Sequence, residues 1–437
     1  MTESVSTPGN PLKNHGWTVT FAGMGINLAL GVLYSWSIIS GGMVKHKWGW
    51  SASEMSLPFS IACLVFTIVM VPAGRMQDRL GPRLVASIGG ILVGAGMLMA
   101  SMVGNSVIGY VIGFGVLVGA GIGFGYASAT PPAVKWFPKA KTGLIAGLVV
   151  SGFGLASVYI APLATWLIDT IGLNSTVMAL GIGFLAVVCG LAQLLKAPPE
   201  GFSPEAVKPV EAGADTTLPA GSVKKENFTP GEMLRTWQFY LIWFLYACGA
   251  GAGLMVISIA KTLGSALKTN APESAAYAAK VGTVAVVALA IGNGAGRILA
   301  GIVSDKLGRK ATLVIFMVCQ AIMVLLVSMV EPGTPLADIA AIAALAAIVG
   351  ANYGSNLSLF PSVAKDYYGL KNFGVNYGLV FTAWGIGGFV LSLVAGYIKD
   401  HTGTFTYSYY GSAVLLVLAA IATFALKAPH HHEKATH

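Results

Sequence analysis

Residues 281–308 read VGTVAVVALAIGNGAGRILAGIVSDKLG. The run is apolar for about the 20 residues that a helix needs to cross a bilayer, and it closes on a D-K-L-G turn. One charged side chain, Arg297, stands inside it. An ionisable group at membrane depth costs about 2.5–3.5 kcal/mol even on the lenient insertion scale. Such a group faces a protein interior or an aqueous cavity and has a partner there. The functional question becomes which anion Arg297 holds.

The rest of the chain has the same character. Its 437 residues are 55% hydrophobic and 10% charged, with a mean hydropathy of +0.74. That excludes an ordinary soluble domain. Apolar runs fall near 17–40, 54–74, 84–103, 107–133, 142–168, 174–195, 237–260, 280–303, 311–330, 339–361, 375–398 and 404–426. These twelve spans predict an all-α polytopic membrane protein surrounded by lipid. The first residues, MTESVSTPGNPLKNHG, lack the apolar core of a signal peptide, so the first span reads as a retained helix. The net charge of +9 sits in short loops and does not indicate nucleic acid. An even number of spans puts both ends of the chain on one face. The opposite face then carries only Lys45, Lys47, Lys261, Lys268, Lys280 and Lys399. The positive-inside rule makes the face with the termini cytoplasmic. Cys63, Cys189, Cys248 and Cys319 lie singly in apolar runs and read as packing residues, so no disulfide frame is expected.

The D-K-L-G turn has a counterpart. GRMQDRLGPRLV (74–85) returns as GIVSDKLGRKAT (301–312), 227 positions later. Asp78, Arg79, Gly81 and Arg83 thus align with Asp305, Lys306, Gly308 and Lys310, and Pro82 stands where the second copy has Arg309. GLVVSGFG (147–154) returns as GLVFTAWG (378–385) at an offset of 231. Parallel repeats of this kind enclose a midplane site that opens to one side and then the other. The glycine permits a tight turn, and the Asp can cap the next helix or pair with a basic neighbour. Residues 196–236, rich in Pro, Gly and Glu, read as a flexible linker. The chain divides into an N-terminal segment 1–16, a six-helix bundle 17–195, the linker 196–236, a six-helix bundle 237–426 and a tail 427–437. The histidine-rich tail reads as a disordered end. Twelve spans split six and six, with D-[RK]-L-G loops between spans 2 and 3 and spans 8 and 9, resemble the major facilitator superfamily along the whole chain. Pro82 departs from the basic residue usual in that loop.

Gly115, Gly119 and Gly123 in span 4, and Gly292 and Gly296 in span 8, form stripes that let helices approach closely. GAGIGFG (119–125) has glycines like those of a dinucleotide loop, but it follows no strand and lies within a span. Pro131, Pro132, Pro162 and Pro361 mark kinks or helix ends near the rims.

Arg297 lies eight residues before Asp305, about 12 Å of helix, which places it near the midplane. Asn293 is one turn earlier on the same face. Arginine offers a planar fork of donors suited to a carboxylate. No Asp or Glu stands mid-span to neutralise it, so an anion from outside is the better partner than an internal ion pair. Leu33 and Tyr34 in span 1, Tyr126 in span 4, Asn352 and Tyr353 in span 10, and Phe381 and Trp384 in span 11 lie at matching depths. A single aromatic in a span is by default a packing residue. Two buried phenols, Tyr126 and Tyr353, need polar partners and favour the cavity.

GVLYSWSI (31–38), the Asn293–Arg297 pair and YGLVFTAWG (377–385) resemble the oxalate/formate antiporter and monocarboxylate transporter branch of that superfamily. The resemblance implies a bacterial inner-membrane carrier in which the span-8 arginine takes the carboxylate and Tyr126, Tyr353, Phe381 and Trp384 face the substrate. Animal relatives often have Asp at the position of Asn293, thought to move protons, and an amide cannot titrate. The oxalate carrier has a lysine in span 11 where this chain has Trp384. One cation neutralises one carboxylate, and an unpaired second charge costs several kcal/mol. The expected substrate is therefore a small monocarboxylate such as lactate, pyruvate, formate, acetate or glycolate.

The expectation is a secondary active transporter working by alternating access as a single chain, with a proton as co-substrate, and no cofactor or metal. Anion exchange of the oxalate/formate type is the alternative. Efflux of another small molecule would show no dependence on Arg297. A membrane enzyme would need a nucleophile–base or metal cluster within the spans, and all seven histidines lie outside them. A nutrient sensor would need an output domain, for which linker and tail leave no room.

Overall fold

A computed structural model of the chain describes residues 14–138, 142–199, 227–267, 273–369 and 372–429. Among these there is no strand. Twelve helices are long and apolar enough to cross a membrane: α1 Gly16–Lys45, α2 Ala52–Leu80, α3 Pro82–Met102, α4 Val107–Val134, α5 Leu144–Ile171, α6 Leu173–Ala192, α7 Trp237–Gly264, α8 Ala276–Leu307, α9 Arg309–Ser328, α10 Ile339–Tyr368, α11 Phe373–Thr402 and α12 Thr406–Thr423. The chain is a multi-pass membrane protein. Several helices run past the ends of the apolar runs; α8 does so at both ends, from Ala276 and on to Leu307.

The packing repeats. In the first six helices α1 meets α5, α2 meets α4 and α3 meets α6; in the last six α7 meets α11, α8 meets α10 and α9 meets α12. Glycines set these crossings. A Cβ at Gly119 would come within 2.8 Å of the Ala62 carbonyl, and one at Gly123 within 2.9 Å of the Phe66 carbonyl, which seats α4 on α2. Gly292 and Gly296 lie on the Ala347 and Ala351 carbonyls of α10, and Gly350 and Gly354 return the contact to Leu289 and Asn293. The fold is two six-helix bundles of like construction.

The turns Gly81 and Gly308 both have left-handed φ, 85° and 84°, which glycine adopts without a Cβ clash. Neither Asp78 nor Asp305 caps the following helix; each pairs with a basic side chain. Asp305 meets Arg309 at 3.0 Å, and Arg309 also meets Asp366 at 3.0 Å and Ser304. Asp78 meets Lys135 at 3.8 Å. Lys135 and Asp366 are related by the 231-residue offset, so the first bundle lacks the central arginine and carries a cation where the second has an acid. Arg83 Nε donates to the Leu195 carbonyl at 2.9 Å. Arg79 and Lys306 lie in the last turns of α2 and α8, and Lys310 is exposed.

Pro131 and Pro132 lie in the last turn of α4, whereas Pro162 and Pro361 lie inside their helices, as do Pro58 and Pro72. The linker ends in order: Thr229 and Glu232 form a capping box for the turn Pro230–Met233. Phe228 beside it is buried, donating its N–H to the Tyr368 carbonyl at 3.0 Å and accepting from Asn372 and Asn376. Residues 1–13, 200–226 and 430–437, which hold most of the N-terminal segment, linker and tail, lie outside the described residues.

The two bundles touch along α2/α11, α5/α8 and α1/α7. At the face away from the termini these seams are tight. A Cβ at Gly396 would meet the Ala52 carbonyl at 2.7 Å, Thr165 and Thr283 lie 3.3 Å apart, and a Cβ at Gly41 would meet Lys261 at 3.1 Å. Toward the terminal face they loosen. The nearest atom to a Cβ at Gly378 is Val71 at 3.6 Å, and Gly74, Gly147, Gly301 and Gly374 have nothing within 4 Å. These four glycines fall at helical spacing from residues in the α2/α11 and α5/α8 seams, so those two seams are wedges, shut on the far face and parting on the terminal face.

Candidate substrate-binding site

Arg297 lies in α8 in the α5/α8 seam, between the tight Thr165–Thr283 contact and the open Gly147 and Gly301, and is 8% exposed. It is the one charged side chain among the buried described residues. Its Nε donates to Asn293 Oδ1 at 3.2 Å, one turn back on the same helix. Its Nη1 crosses to the other bundle and donates to the Val150 carbonyl at 2.8 Å. The guanidinium lies flat on Gly154: a Cβ there would fall 3.1–3.3 Å from Nη2, Cζ and Nε. Asn293 Oδ1 is taken by Arg297, so the amide orientation leaves Nδ2 as a donor. Asn293 Nδ2 and Arg297 Nη2 are both buried without a hydrogen-bond partner. Two unsatisfied donors, one of them charged, are costly to bury, and the oxygens of an anion are the acceptors that suit them.

Aromatic side chains close around this point. Tyr34 is set by a 3₁₀ segment, Gly31–Ser35, that interrupts α1 where Gly31 packs directly on the Phe153 carbonyl. Tyr34 and Tyr353 hydroxyls lie 2.6 Å apart, and Trp384 Nε1 donates to the Tyr353 oxygen at 2.8 Å. Phe381 stacks on Trp384 with centroids 5.3 Å apart. Phe66 meets Tyr126, Phe153, Phe381 and Trp384 at 5.2–5.9 Å. The phenols of Tyr34, Tyr126, Tyr353 and Tyr377 all lie near the Arg297 guanidinium. The cluster is two-sided. The α5/α8 seam supplies Val150, Gly154, Asn293 and Arg297, whereas the α2/α11 seam supplies Phe66, Phe381 and Trp384.

Of the residues read from the sequence, the structure brings together Arg297, Asn293, Tyr34, Tyr126, Tyr353, Phe381 and Trp384. Leu33, next to Tyr34 in the 3₁₀ segment, is fully buried in the apolar core. Asn352 is not at the site. Its amide donates to the Ile348 carbonyl at 2.9 Å and to Cys319 Sγ at 3.4 Å, facing α9. Successive residues on a helix differ by about 100°, so the face that carries Tyr353 inward turns Asn352 outward. The residues missed are Phe66, Val150, Phe153 and Gly154. The repeat held their signal. The 227 offset pairs Phe66 with Asn293, and the 231 offset pairs Val150 with Phe381, Phe153 with Trp384 and Gly154 with Gly385.

Comparison with known proteins agrees with this architecture. The chain is 29% identical over 382 residues to the "Uncharacterized MFS-type transporter YhjX" of Escherichia coli, covering 87% of each chain. It is 26% identical over 416 residues to the oxalate:formate antiporter of Oxalobacter formigenes, covering 95% of this chain and 92% of that one. It is 25% identical over 406 residues to monocarboxylate transporter 11 of Mus musculus, covering 92% and 85%. The profile of the Major Facilitator Superfamily matches residues 16–279 and 255–437. Matched from its first helix to its last, the chain belongs to the Major Facilitator Superfamily, whose members are transporters and not enzymes.

Proposed function

We propose that the protein carries small monocarboxylates across the membrane by alternating access, with Arg297 and Asn293 binding the carboxylate. The observation that carries this reading is the pair of buried, unpartnered donors, Arg297 Nη2 and Asn293 Nδ2. A carboxylate has two acceptor oxygens to meet them. The aromatic α2/α11 side suits a short apolar tail. Arg297 as the one buried cation among the described residues suits a single negative charge. The relatives named for oxalate, formate and monocarboxylates support this substrate class.

For the coupling, the site favours exchange of anions over proton symport. Asn293 does not titrate, and no Asp, Glu or His is among the buried described residues. The test is a panel of lactate, pyruvate, formate, acetate and oxalate in proteoliposomes, with and without an imposed pH gradient. Arg297→Lys keeps the charge and loses the fork. Losing charge-assisted hydrogen bonds of about 1.5–3 kcal/mol lowers uptake at low substrate roughly 10- to 150-fold. Uptake by Arg297→Ala equal to the parent's would refute the role of Arg297, and net uptake driven by the pH gradient would reverse the preference for exchange.

A further inference from the structure

The far face of the α2/α11 seam ends in a contact that the substrate site does not use. Asp400, in the last turn of α11, reaches the first turn of α2 in the other bundle. Its Oδ1 accepts the Ala52 N–H at 2.6 Å, its Oδ2 accepts the Ser53 N–H at 2.9 Å, and the Ser53 hydroxyl also donates to Oδ2. These amides are first-turn donors that no helical carbonyl can satisfy, and a carboxylate there also meets the positive end of the helix dipole. Gly396, one turn earlier on the same face of α11, lets the backbones close beneath it. The acid of that turn of α2, Glu54, is occupied with the Ser51 N–H at 2.8 Å. Lys399 and His401 bond within α11 and its following turn.

The repeat gives this contact a counterpart built differently. The 231 offset relates Asp400 to Asp169 at the far end of α5, and the 227 offset relates Ala52 to Ala279 in α8. Ala279 lies inside a helix that begins at Glu273, so it has no free amide for a carboxylate to cap. There Asp169 pairs with Lys45 at 2.7 Å, while Lys261 donates to the Ala279 carbonyl at 2.7 Å and to Thr283. Of the two repeat-related acids, only Asp400 is bonded directly to the opposite bundle by a described contact.

We propose that the Asp400 carboxylate, seated on the first turn of α2, is the latch that holds the far face shut while the terminal face is open. Each time the carrier opens to the far face, α11 must leave α2 there, and the Ala52 and Ser53 amides exchange Asp400 for water. The latch therefore sets how often the far face opens, independently of which anion is carried.

Two cysteines report the middle of the α2/α11 seam and the open terminal end of α5. Cys63 is buried in α2 against Gly388 of α11, about 16 Å of helix below Ala52, and is left alone when Cys189, Cys248 and Cys319 are changed to alanine. A second reporter, Gly147→Cys with all four native cysteines changed to alanine, lies at the open terminal end of α5. Labelling with a water-soluble maleimide is measured in nanodiscs. With Asp400→Ala, Cys63 should react roughly tenfold faster and the reporter at 147 more slowly. Glu331→Gln, which removes another far-face charge, should move neither rate. A faster rate at both positions marks unfolding of that variant, and Asp400→Asn, which keeps the side chain's size, then decides by the same two rates. Parental rates at Cys63 in both Asp400 variants overturn the latch.

Discussion

Arg297 in the eighth helix is hydrogen-bonded to the backbone carbonyl of Val150 in the fifth, 2.8 Å away and in the other bundle. The contact exists because Gly154, one turn further along α5, has no Cβ to hold the guanidinium off. Gly154→Ala puts a methyl 3.1–3.3 Å from three guanidinium atoms, so the fork must shift by a few tenths of an ångström. Small misplacements of a binding group are expensive. The expected outcome is a rise in KM for the monocarboxylate of roughly 3- to 10-fold, and loss of transport in Gly154→Val. Gly147→Ala, two turns away on the same face with nothing within 4 Å, should leave KM unchanged. Uptake kinetics in proteoliposomes check both, and an unchanged KM in Gly154→Ala would show that the fork does not need the α5 backbone.

Trp384 tests the charge count. It stacks on Phe381 and donates to Tyr353, filling the side of the cluster opposite Arg297. With one buried cation, a dianion would retain an unpaired charge at a cost of several kcal/mol. Competition of lactate uptake by oxalate should therefore be at least about 100-fold weaker than competition by unlabelled lactate. Trp384→Lys should narrow that gap from both sides, admitting oxalate and weakening lactate. Trp384→Phe keeps a ring and should keep lactate preferred. Equal competition by oxalate and lactate in the parent would show that charge does not select the substrate.

The sequence made some of these residues legible and hid others for physical reasons. Arg297 stands out because charge at membrane depth is costly, and Tyr353 and Trp384 because polar aromatic side chains there need partners. The D-[RK]-L-G turns expose the repeat and with it the twelve-helix plan. Val150 and Gly154 act through a carbonyl and a missing Cβ, and neither is a side-chain property that a motif records. Phe66 and Phe153 look like ordinary packing residues until the repeat aligns them with Asn293 and Trp384. Asn352 turns to α9 because membership of a polar cluster in sequence does not fix which side of the helix each member faces.

Tyr353 joins three helices through one oxygen. It accepts from Trp384 Nε1 and is hydrogen-bonded to the Tyr34 hydroxyl across the bundles. Tyr353→Phe leaves the indole N–H buried without an acceptor, a cost of about 1–3 kcal/mol. Tyr34→Phe leaves that acceptor in place and removes only one hydrogen bond. Thermal unfolding of purified protein should therefore show a clearly larger fall in midpoint for Tyr353→Phe than for Tyr34→Phe. Equal falls would mean that the Trp384 bond contributes nothing.

The two D-[RK]-L-G loops differ in the charges they carry, and the difference predicts which loop the fold depends on. Arg309 is three-quarters covered and bridges Asp305, Asp366 and Ser304. Removing it leaves two carboxylates close together with their shared cation gone, one of them, Asp366, only 29% exposed. In the first bundle the same place has Pro82, and Asp78 relies on Lys135, 3.8 Å away, with both side chains more than half exposed. An exposed pair of that kind contributes about 0–1 kcal/mol. Arg309→Ala should lower the thermal midpoint measurably, and Lys135→Ala should leave it nearly unchanged. Raising the salt should shrink the effect of Lys135→Ala further, because exposed charges are screened within about 10 Å at 0.1 M, and should reduce the effect of Arg309→Ala much less. If the two alanine variants melt together at both salt concentrations, the partly covered bridge around Arg309 is worth no more than a surface pair.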